Sequence, residues 1–559
     1  MTADGDSPAE PRPAAGSFAQ APFVLVLVAA CVAVAGLAMT FVGAGQTGLS
    51  GDEFGHVKRL EGFYDDGLFV RNWERTTPEG VIPPNAYVYS PGTTRIMHIV
   101  NVLAGNEGTG EVSTTLDAFM VRHYVVAVMA LIGLLATAGL AWLLLGWRWA
   151  VVAAGALAAI PMWTGHAMFN PKDTPVAVGY TVMTLALAGL VLASAKNRRT
   201  AVLAGGMSCA AAVFGIVLMV GTRPGMWPAV AAALVMVVVP LAIGRCLNFT
   251  VLIGLAASLV VSYAALWKLY PKVFGDPLAM LSGSMGQSTQ FPHGLAAGRH
   301  YIFERTAIEW PVLLLAFMLV GTVVAAVMCL RSMRSDSRRA VVLGLIGAQA
   351  YALTLAAVIV NANIYDGLRQ LLFAVPAQAL LATIGIAAVA TFVARRGRAG
   401  GAVGVGQWVF AGVAIAALVL PTIVQARLYP YQYAYGNVVA EWTGASILND
   451  NWKVSFREYV LDVPQTVKAA CPNDPPEGPP INPDDYSDCR GNSKAFSAPW
   501  VAYWHHARFD PDSRTFYTLL RAQRPVPPNC RVVDKVVRTR NFERAVMSRL
   551  LLCTQRGVK

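Results

Sequence analysis

Runs of roughly twenty apolar residues, separated by short polar turns, constrain this chain more than any other feature of its sequence. A helix of that length crosses the about 30 Å of hydrocarbon in a bilayer. Such runs lie at Phe23–Val42, Tyr124–Leu145, Ala150–Met168, Val176–Ala195, Ala201–Val220 and Met226–Gly244. They continue at Phe249–Leu269, Pro311–Leu330, Ala340–Val360, Leu371–Val393 and Val403–Val424. The pattern predicts an all-α polytopic membrane protein with about eleven spans. Only 14% of the 559 residues are charged, against roughly 25% in soluble domains. That deficit excludes a cytosolic enzyme, a disordered scaffold and a nucleic-acid binder. The net charge of +12 lies in short clusters between the apolar runs and forms no continuous basic stripe.

The basic clusters orient the spans. With the N-terminus cytoplasmic, Arg148, the Lys196–Arg199 group, Arg245, the Arg331–Arg339 group and Arg395–Arg398 all fall inside. Nothing after the first run resembles a cleavage site, so that run is expected to remain as an anchor. The expected organisation is a cytoplasmic tail over 1–22, a membrane domain over 23–425 and an exoplasmic C-terminal portion over 426–559. The membrane domain includes a long exoplasmic loop, 45–121, and the localisation that follows is the plasma (inner) membrane. The C-terminal portion is large enough for a small domain with its own core. Cys471, Cys489, Cys530 and Cys553 all lie there, and an even set on the oxidising side predicts two disulfides, with three possible pairings. Cys31, Cys209, Cys246 and Cys329 lie in or beside spans and read as small buried hydrophobes.

Polar residues gather at the outer span ends. Gly51-Asp52-Glu53-Phe54-Gly55-His56 follows the first span, and Asn170-Pro171-Lys172-Asp173-Thr174-Pro175 links the third and fourth. Gly221-Thr222-Arg223-Pro224-Gly225 links the fifth and sixth, and Tyr365-Asp366-Gly367-Leu368-Arg369-Gln370 the ninth and tenth. Tyr429-Pro430-Tyr431-Gln432-Tyr433 follows the last span. Each has a plain structural reading. Asp52 and Glu53 suit a helix N-terminal turn, Lys172 and Asp173 a rim ion pair, and Asp366 and Arg369 a turn-stabilising pair. Arg223 suits a helix cap or a side chain snorkelling to headgroups, and the tyrosines an interfacial aromatic belt. His56, His98 and His166 show no metal-ligand spacing.

Taken together, five polar turns at one depth suit transfer of a group from a lipid phosphate. Cations bind an anionic headgroup and stabilise the departing phosphate, a carboxylate deprotonates the incoming hydroxyl, and the spans offer a groove for the lipid tail. An acidic pair in a long first exoplasmic loop resembles the C-type (GT-C) glycosyltransferases that use lipid-phosphate sugars. More narrowly, the Asn170–Thr174 and Tyr365–Arg369 strings, with Tyr429–Tyr433, resemble bacterial relatives of the dolichyl-phosphate-mannose protein mannosyltransferases and of the aminoarabinose transferases. The resemblance covers the membrane portion; the tail after about Tyr459 matches no family. Gln370 departs from the subgroup, which carries His there.

The resemblance implies an inverting transferase that takes a sugar from a polyprenyl-phosphate donor. Its acceptor would be a hydroxyl on a protein, a glycolipid or a cell-wall glycan. Asp52 would be the general base with Glu53 beside it, and Lys172, Arg223 and Arg369 would hold the donor phosphate. Asn170, Asp173, Asp366 and His56 would support them. Metal dependence varies in the superfamily; a divalent cation is possible, and no separate ligand set demands one. Two other classes remain open: a secondary transporter, and a non-catalytic subunit of a cell-envelope assembly.

Overall fold

The computed structural model describes residues 18–70, 91–194, 198–289, 300–362, 364–400, 403–458, 515–528 and 530–554. Among these, ten helices are long and apolar enough to cross a membrane, and the protein is a multi-pass membrane protein. The first, α1 (Phe23–Gln46), leads to two helices outside the spans, α2 (Gly51–Asp66) and α3 (Gly92–Leu103). The bundle continues with α4 (Leu116–Leu145), α5 (Trp147–Ala158), α6 (Pro161–His166), α7 (Asp173–Ala193), α8 (Arg198–Thr222), α9 (Trp227–Ile243) and α10 (Phe249–Leu269). Three short helices follow, α11 (Pro271–Phe274), α12 (Pro277–Thr289) and α13 (Tyr301–Glu309), before α14 (Val312–Ser335) and α15 (Ser337–Ile359). A 3-10 turn, Arg369–Ala374, opens α16 (Val375–Gly400); α17 (Val403–Leu428) and the short α18 (Val438–Thr443) complete the helices.

The expected continuous third span, Ala150–Met168, is corrected. It is two helices, the twelve-residue α5 and the six-residue α6, with Ile160 extended between them (φ −89°, ψ 110°). Pro161 explains the break: its ring disfavours the α conformation in the preceding residue and it carries no N–H. The two pieces still run from one end of the bundle to the other. Trp149 Nε1 donates to Ala19 O at 3.0 Å beside the start of α1. Beyond α6, Phe169 packs against Tyr433 and Trp452 at the opposite end.

The same division holds elsewhere. Ala19 N donates to Thr391 Oγ1, and Gly244 abuts Ser337, so the turns rich in arginine gather at the N-terminal end of the bundle. At the other end Thr93 pairs with Thr222 at 2.6 Å and Arg95 reaches Leu269 O at 3.2 Å. The polar turns singled out in the sequence all lie at this second end.

Two helices run through the middle. The apolar stretches of α7 and of the Arg369–Arg396 segment are each 83% buried, against 28–44% for the other eight spans. Close backbone approach holds both. A Cβ on Gly179 would lie 2.7 Å from Gly215 O of α8, and one on Gly385 would lie 2.0 Å from Phe317 O of α14; small residues permit such contacts between membrane helices. Gln349 of α15 ties the pair together. Its Nε2 donates to Thr181 Oγ1 and to Phe373 O, and its Oε1 accepts from Thr184 Oγ1.

The described C-terminal residues form a three-stranded antiparallel sheet of β1 (Thr515–Arg521), β2 (Cys530–Arg540) and β3 (Glu543–Thr554), in the order β1-β3-β2. Its buried Val536, Ala545, Met547 and Leu550 join one apolar cluster with Leu49, Phe119, Phe169, Leu428 and Tyr431. Arg538 Nε donates to Tyr429 O and Asn541 Nδ2 to Gly436 O, fastening the sheet to the segment after α17. Cys530 is disulfide-bonded, and the strand register sets it opposite Cys553. Cys471 and Cys489 lie outside the described residues.

Candidate functional site

The site is assembled from helix starts and turns. At the start of α2, Ser50 caps the helix: its Oγ accepts from Glu53 N, and Glu53 Oε2 accepts from Ser50 N at 2.7 Å. This reciprocal box satisfies two otherwise orphaned donors. Glu53 is 3% exposed and also meets His123 Nε2 at 2.6 Å. It is thereby turned inward, while Asp52, one residue earlier, points out of the helix start with its side chain 39% exposed.

The Asn-Pro-Lys-Asp turn is similarly built. Asn170 Oδ1 accepts from the N–H groups of Lys172 (3.1 Å) and Asp173 (2.8 Å), opening α7. Asn170 Nδ2 donates to Asp173 Oδ2 at 3.0 Å, and Thr174 Oγ1 to His166 O. Across the site, the Tyr365–Arg369 turn needs left-handed backbone at Asp366 (φ +58°) and Gly367 (φ +71°). Its free N–H groups find partners in Tyr301 Oη, which accepts from Gly367 N, and Glu309 Oε2, which accepts from Leu368 N. The Trp452 ring centroid lies 4.0 Å from the Arg369 guanidinium and that of Tyr365 5.3 Å, both within cation–π reach.

These turns bring seven of the nine sequence candidates into one network. Asp52 Oδ2 lies 3.3 Å from both Lys172 Nζ and Arg369 Nη1. Asp173 meets Arg223 at 3.2 Å and Arg369 at 3.8 Å, and Asp366 meets Arg369 Nη2 at 2.9 Å. Three cations thus face three carboxylates. Lys172, Asp173 and Arg369 are at most 4% exposed, whereas Asp52 is the open member. Arg369 Nε, buried, has no hydrogen-bond partner among the described residues. Of the other two candidates, Glu53 faces His123, and His56 lies one turn beyond Asp52 within electrostatic reach of Lys172, Asp52 and Asp173.

Electrostatics follow from this packing. Partial desolvation opposes ionisation of Asp52, but Lys172 and Arg369 outweigh it and hold the carboxyl below the usual carboxylate range. Burial, reinforced by Arg59 and Lys172, pushes His56 down to about 3, so its imidazole is neutral at physiological pH. Among the described residues, no three or more His, Cys, Asp or Glu side chains gather as a metal site would require; each network carboxylate faces Lys or Arg instead.

The aromatic-belt reading is overturned for Tyr431, Tyr433 and Tyr435, whereas Tyr429 stays partly exposed and donates to Gln46 Oε1 at 2.8 Å. Tyr431 is 1% and Tyr435 7% exposed, and Tyr433 Oη donates to buried Asp450 at 2.6 Å. They pack the floor behind the network rather than meet lipid headgroups. Sequence reasoning missed Glu309, Trp452 and His123, whose contacts with the site residues span 59 to 83 positions with no local pattern.

No protein-family model and no curated protein matches the chain. Among solved structures, ArnT from Cupriavidus metallidurans, an aminoarabinose transferase bound to undecaprenyl phosphate, aligns at a TM-score of 0.51 and 14% identity. That match covers 94% of this chain and 98% of that one. The Archaeoglobus fulgidus oligosaccharyltransferase, tethered to an acceptor peptide, aligns at 0.48 and 14%, over 76% of this chain and 57% of that one. The fold is that of the GT-C membrane glycosyltransferases.

Proposed function

We propose that this GT-C-fold protein is a membrane glycosyltransferase that moves a sugar from a polyprenyl-phosphate donor to a hydroxyl acceptor, with inversion, on the exoplasmic side. The observation that carries the reading is the shared contact of one open carboxylate, Asp52, with two buried cations, Lys172 and Arg369. Charges in the network already balance, so a donor phosphate entering it must replace a carboxylate. Asp52 is the most exposed of the three and is the one that yields.

That exchange serves the chemistry. Phosphate oxygens take the Lys172 and Arg369 donors, with the unpartnered Arg369 Nε among them. Relieved of those charges, Asp52 gains proton affinity and removes the proton from the acceptor hydroxyl. The acceptor oxygen bonds to the anomeric carbon as the bond from that carbon to the phosphate oxygen breaks. The electron pair leaves on the phosphate, where Lys172, Arg369 and Arg223 bind the added charge more tightly than in the ground state. The fold's likeness to a transferase crystallised with undecaprenyl phosphate supports this choice of donor.

The test is transfer of radiolabelled sugar from polyprenyl-phosphate donors by membranes carrying wild type or Asp52→Asn. Loss of a general base lowers the rate by about 10²–10⁴. Near wild-type transfer by correctly inserted Asp52→Asn would remove the assignment.

A further inference from the structure

A cavity of about 290 Å³ lies between the chain entering α1, the end of α16 and the start of α17. It belongs to the arginine-rich end of the bundle, opposite the charge network. One buried water needs roughly 10–15 Å³ of such space, so this is room for a much larger group. Small residues make it: Ala390 and Ala394, one helical turn apart on α16, and Ala411 on α17. Small residues ordinarily let membrane helices close on one another, as Gly385 of the same α16 does against α14. Here the helices stay apart, and the walls forgo the dispersion contacts that a filled space supplies.

The wall formed by the chain entering α1 is fixed in place. Ala19 N donates to Thr391 Oγ1 at 2.9 Å, Trp149 Nε1 to Ala19 O at 3.0 Å, and Arg148 Nη1 to Ala21 O at 3.5 Å. Polarity then rises toward the end of the bundle. Ala394 is followed directly by Arg395 and Arg396, both exposed, and the Arg396 guanidinium lies 4.7 Å from the Phe392 ring centroid. The Gln20 and Gln407 side chains, also exposed, line the cavity beside Trp408. Among the described residues at this end the sole carboxylate is Asp336, which is occupied in capping α15.

We propose that this cavity takes an acyl chain of an anionic phospholipid from the adjoining leaflet, with the lipid phosphate at Arg148, Arg395 and Arg396. Two features together select that class. The apolar floor needs a hydrocarbon chain, which a free anion lacks. The arginines, with no carboxylate to neutralise them, favour a headgroup of net negative charge over a zwitterionic one, which brings a cation of its own. The proposal does not depend on the lipid-phosphate reading of the opposite end.

Full-length protein in phosphatidylcholine nanodiscs tests it, doped with a trace of photoreactive phosphatidylglycerol or of photoreactive phosphatidylcholine with the same chains. Mass spectrometry locates the labelled residues. In wild type, phosphatidylglycerol should label the stretches around Val393 and Trp408 about fivefold more than phosphatidylcholine does. Arg395→Gln combined with Arg396→Gln should bring that ratio close to one. Ala411→Trp, which fills the cavity, should remove the labelling by phosphatidylglycerol. Melting temperatures in detergent report whether the variants are folded, and if Ala411→Trp is not, the arginine pair alone decides. Equal labelling by the two lipids in wild type would mean bulk lipid only and overturns the proposal. A preference that survives loss of both arginines, or labelling that persists in folded Ala411→Trp, overturns it as well.

Discussion

The two inner helical segments and the eight spans around them are all apolar enough to cross a membrane, yet they are buried very differently. Mean hydropathy gives no hint of the division, because α7 and the Arg369–Arg396 segment are no more hydrophobic than their lipid-facing neighbours. What separates them is burial, 83% against 28–44%, and what begins them. Each inner segment opens on charged residues of the site, Asp173 after Lys172 in one and Arg369 in the other. Charges at those positions are shielded from lipid by the surrounding spans and lie beside the α2 start that carries Asp52. The comparison teaches that this bundle places its charge where protein, rather than bilayer, is the solvent.

Removing Arg369 should break that arrangement most severely. Arg369→Ala leaves Asp366 without a cation and Asp52 and Asp173 with one each, and loss of one partner from a buried pair costs about 3–5 kcal/mol; thermal unfolding in detergent and donor-dependent transfer should both register it. Gly385→Val attacks the same inner helix from its packing side. The new side chain would start 2.0 Å from Phe317 O, and overpacking of this kind costs about 1–3 kcal/mol or more, read as a lowered melting temperature.

Arg223 sits at the edge of the network, 19% exposed, and its loss should be milder. Arg223→Ala is expected to lower turnover by about tenfold, with kcat falling more than donor affinity if its contact strengthens as phosphate leaves. An effect confined to donor affinity would limit Arg223 to binding.

Glu309 sharpens the comparison through pH. Burial raises its carboxyl to about 7, against the opposing Leu368 N–H and Arg305. The folded protein therefore holds that proton more tightly than the unfolded chain, and stability falls as pH rises from about 4.5 through about 7. Glu309→Gln should flatten that part of the melting-temperature profile, and an unchanged slope would show that Glu309 does not titrate there. Smallest of all should be Leu319→Ala on the outer face of α14, 58% exposed; a change beyond about 0.5 kcal/mol would show that the outer spans are less independent than their burial suggests.

Much of this was legible in the sequence because hydropathy and turn chemistry are local. Spans follow from run length, and the acidic pair Asp52 and Glu53 suits the helix start at which the structure places it. The convergence of Asp52, Lys172, Arg223 and Arg369 was legible only as a shared depth, since alternation of spans fixes which end a turn occupies but not its neighbours. Glu309 and Trp452 carried no signal, because a carboxylate ending a short helix and a tryptophan in a loop have no periodicity. The break in the third span was obscured by averaging: a window of twenty residues absorbs Pro161 among so many apolar side chains.

That interrupted crossing bears on how the chain enters a membrane at all. At 1.5 Å per residue, α5 spans about 18 Å, too short to cross a bilayer by itself. Its Val152–Ala158 stretch is buried against protein, and exposed backbone at its end would be costly in lipid. The crossing must therefore be escorted, with α4 reaching it across the Gly146 turn and α16 arriving much later in synthesis. Chains truncated after His166 should leave the residues following α5 unstably placed, and those extended through α16 should fix them, as cysteine accessibility in isolated membranes would report. Insertion of this protein is then a matter of timing as well as of hydropathy.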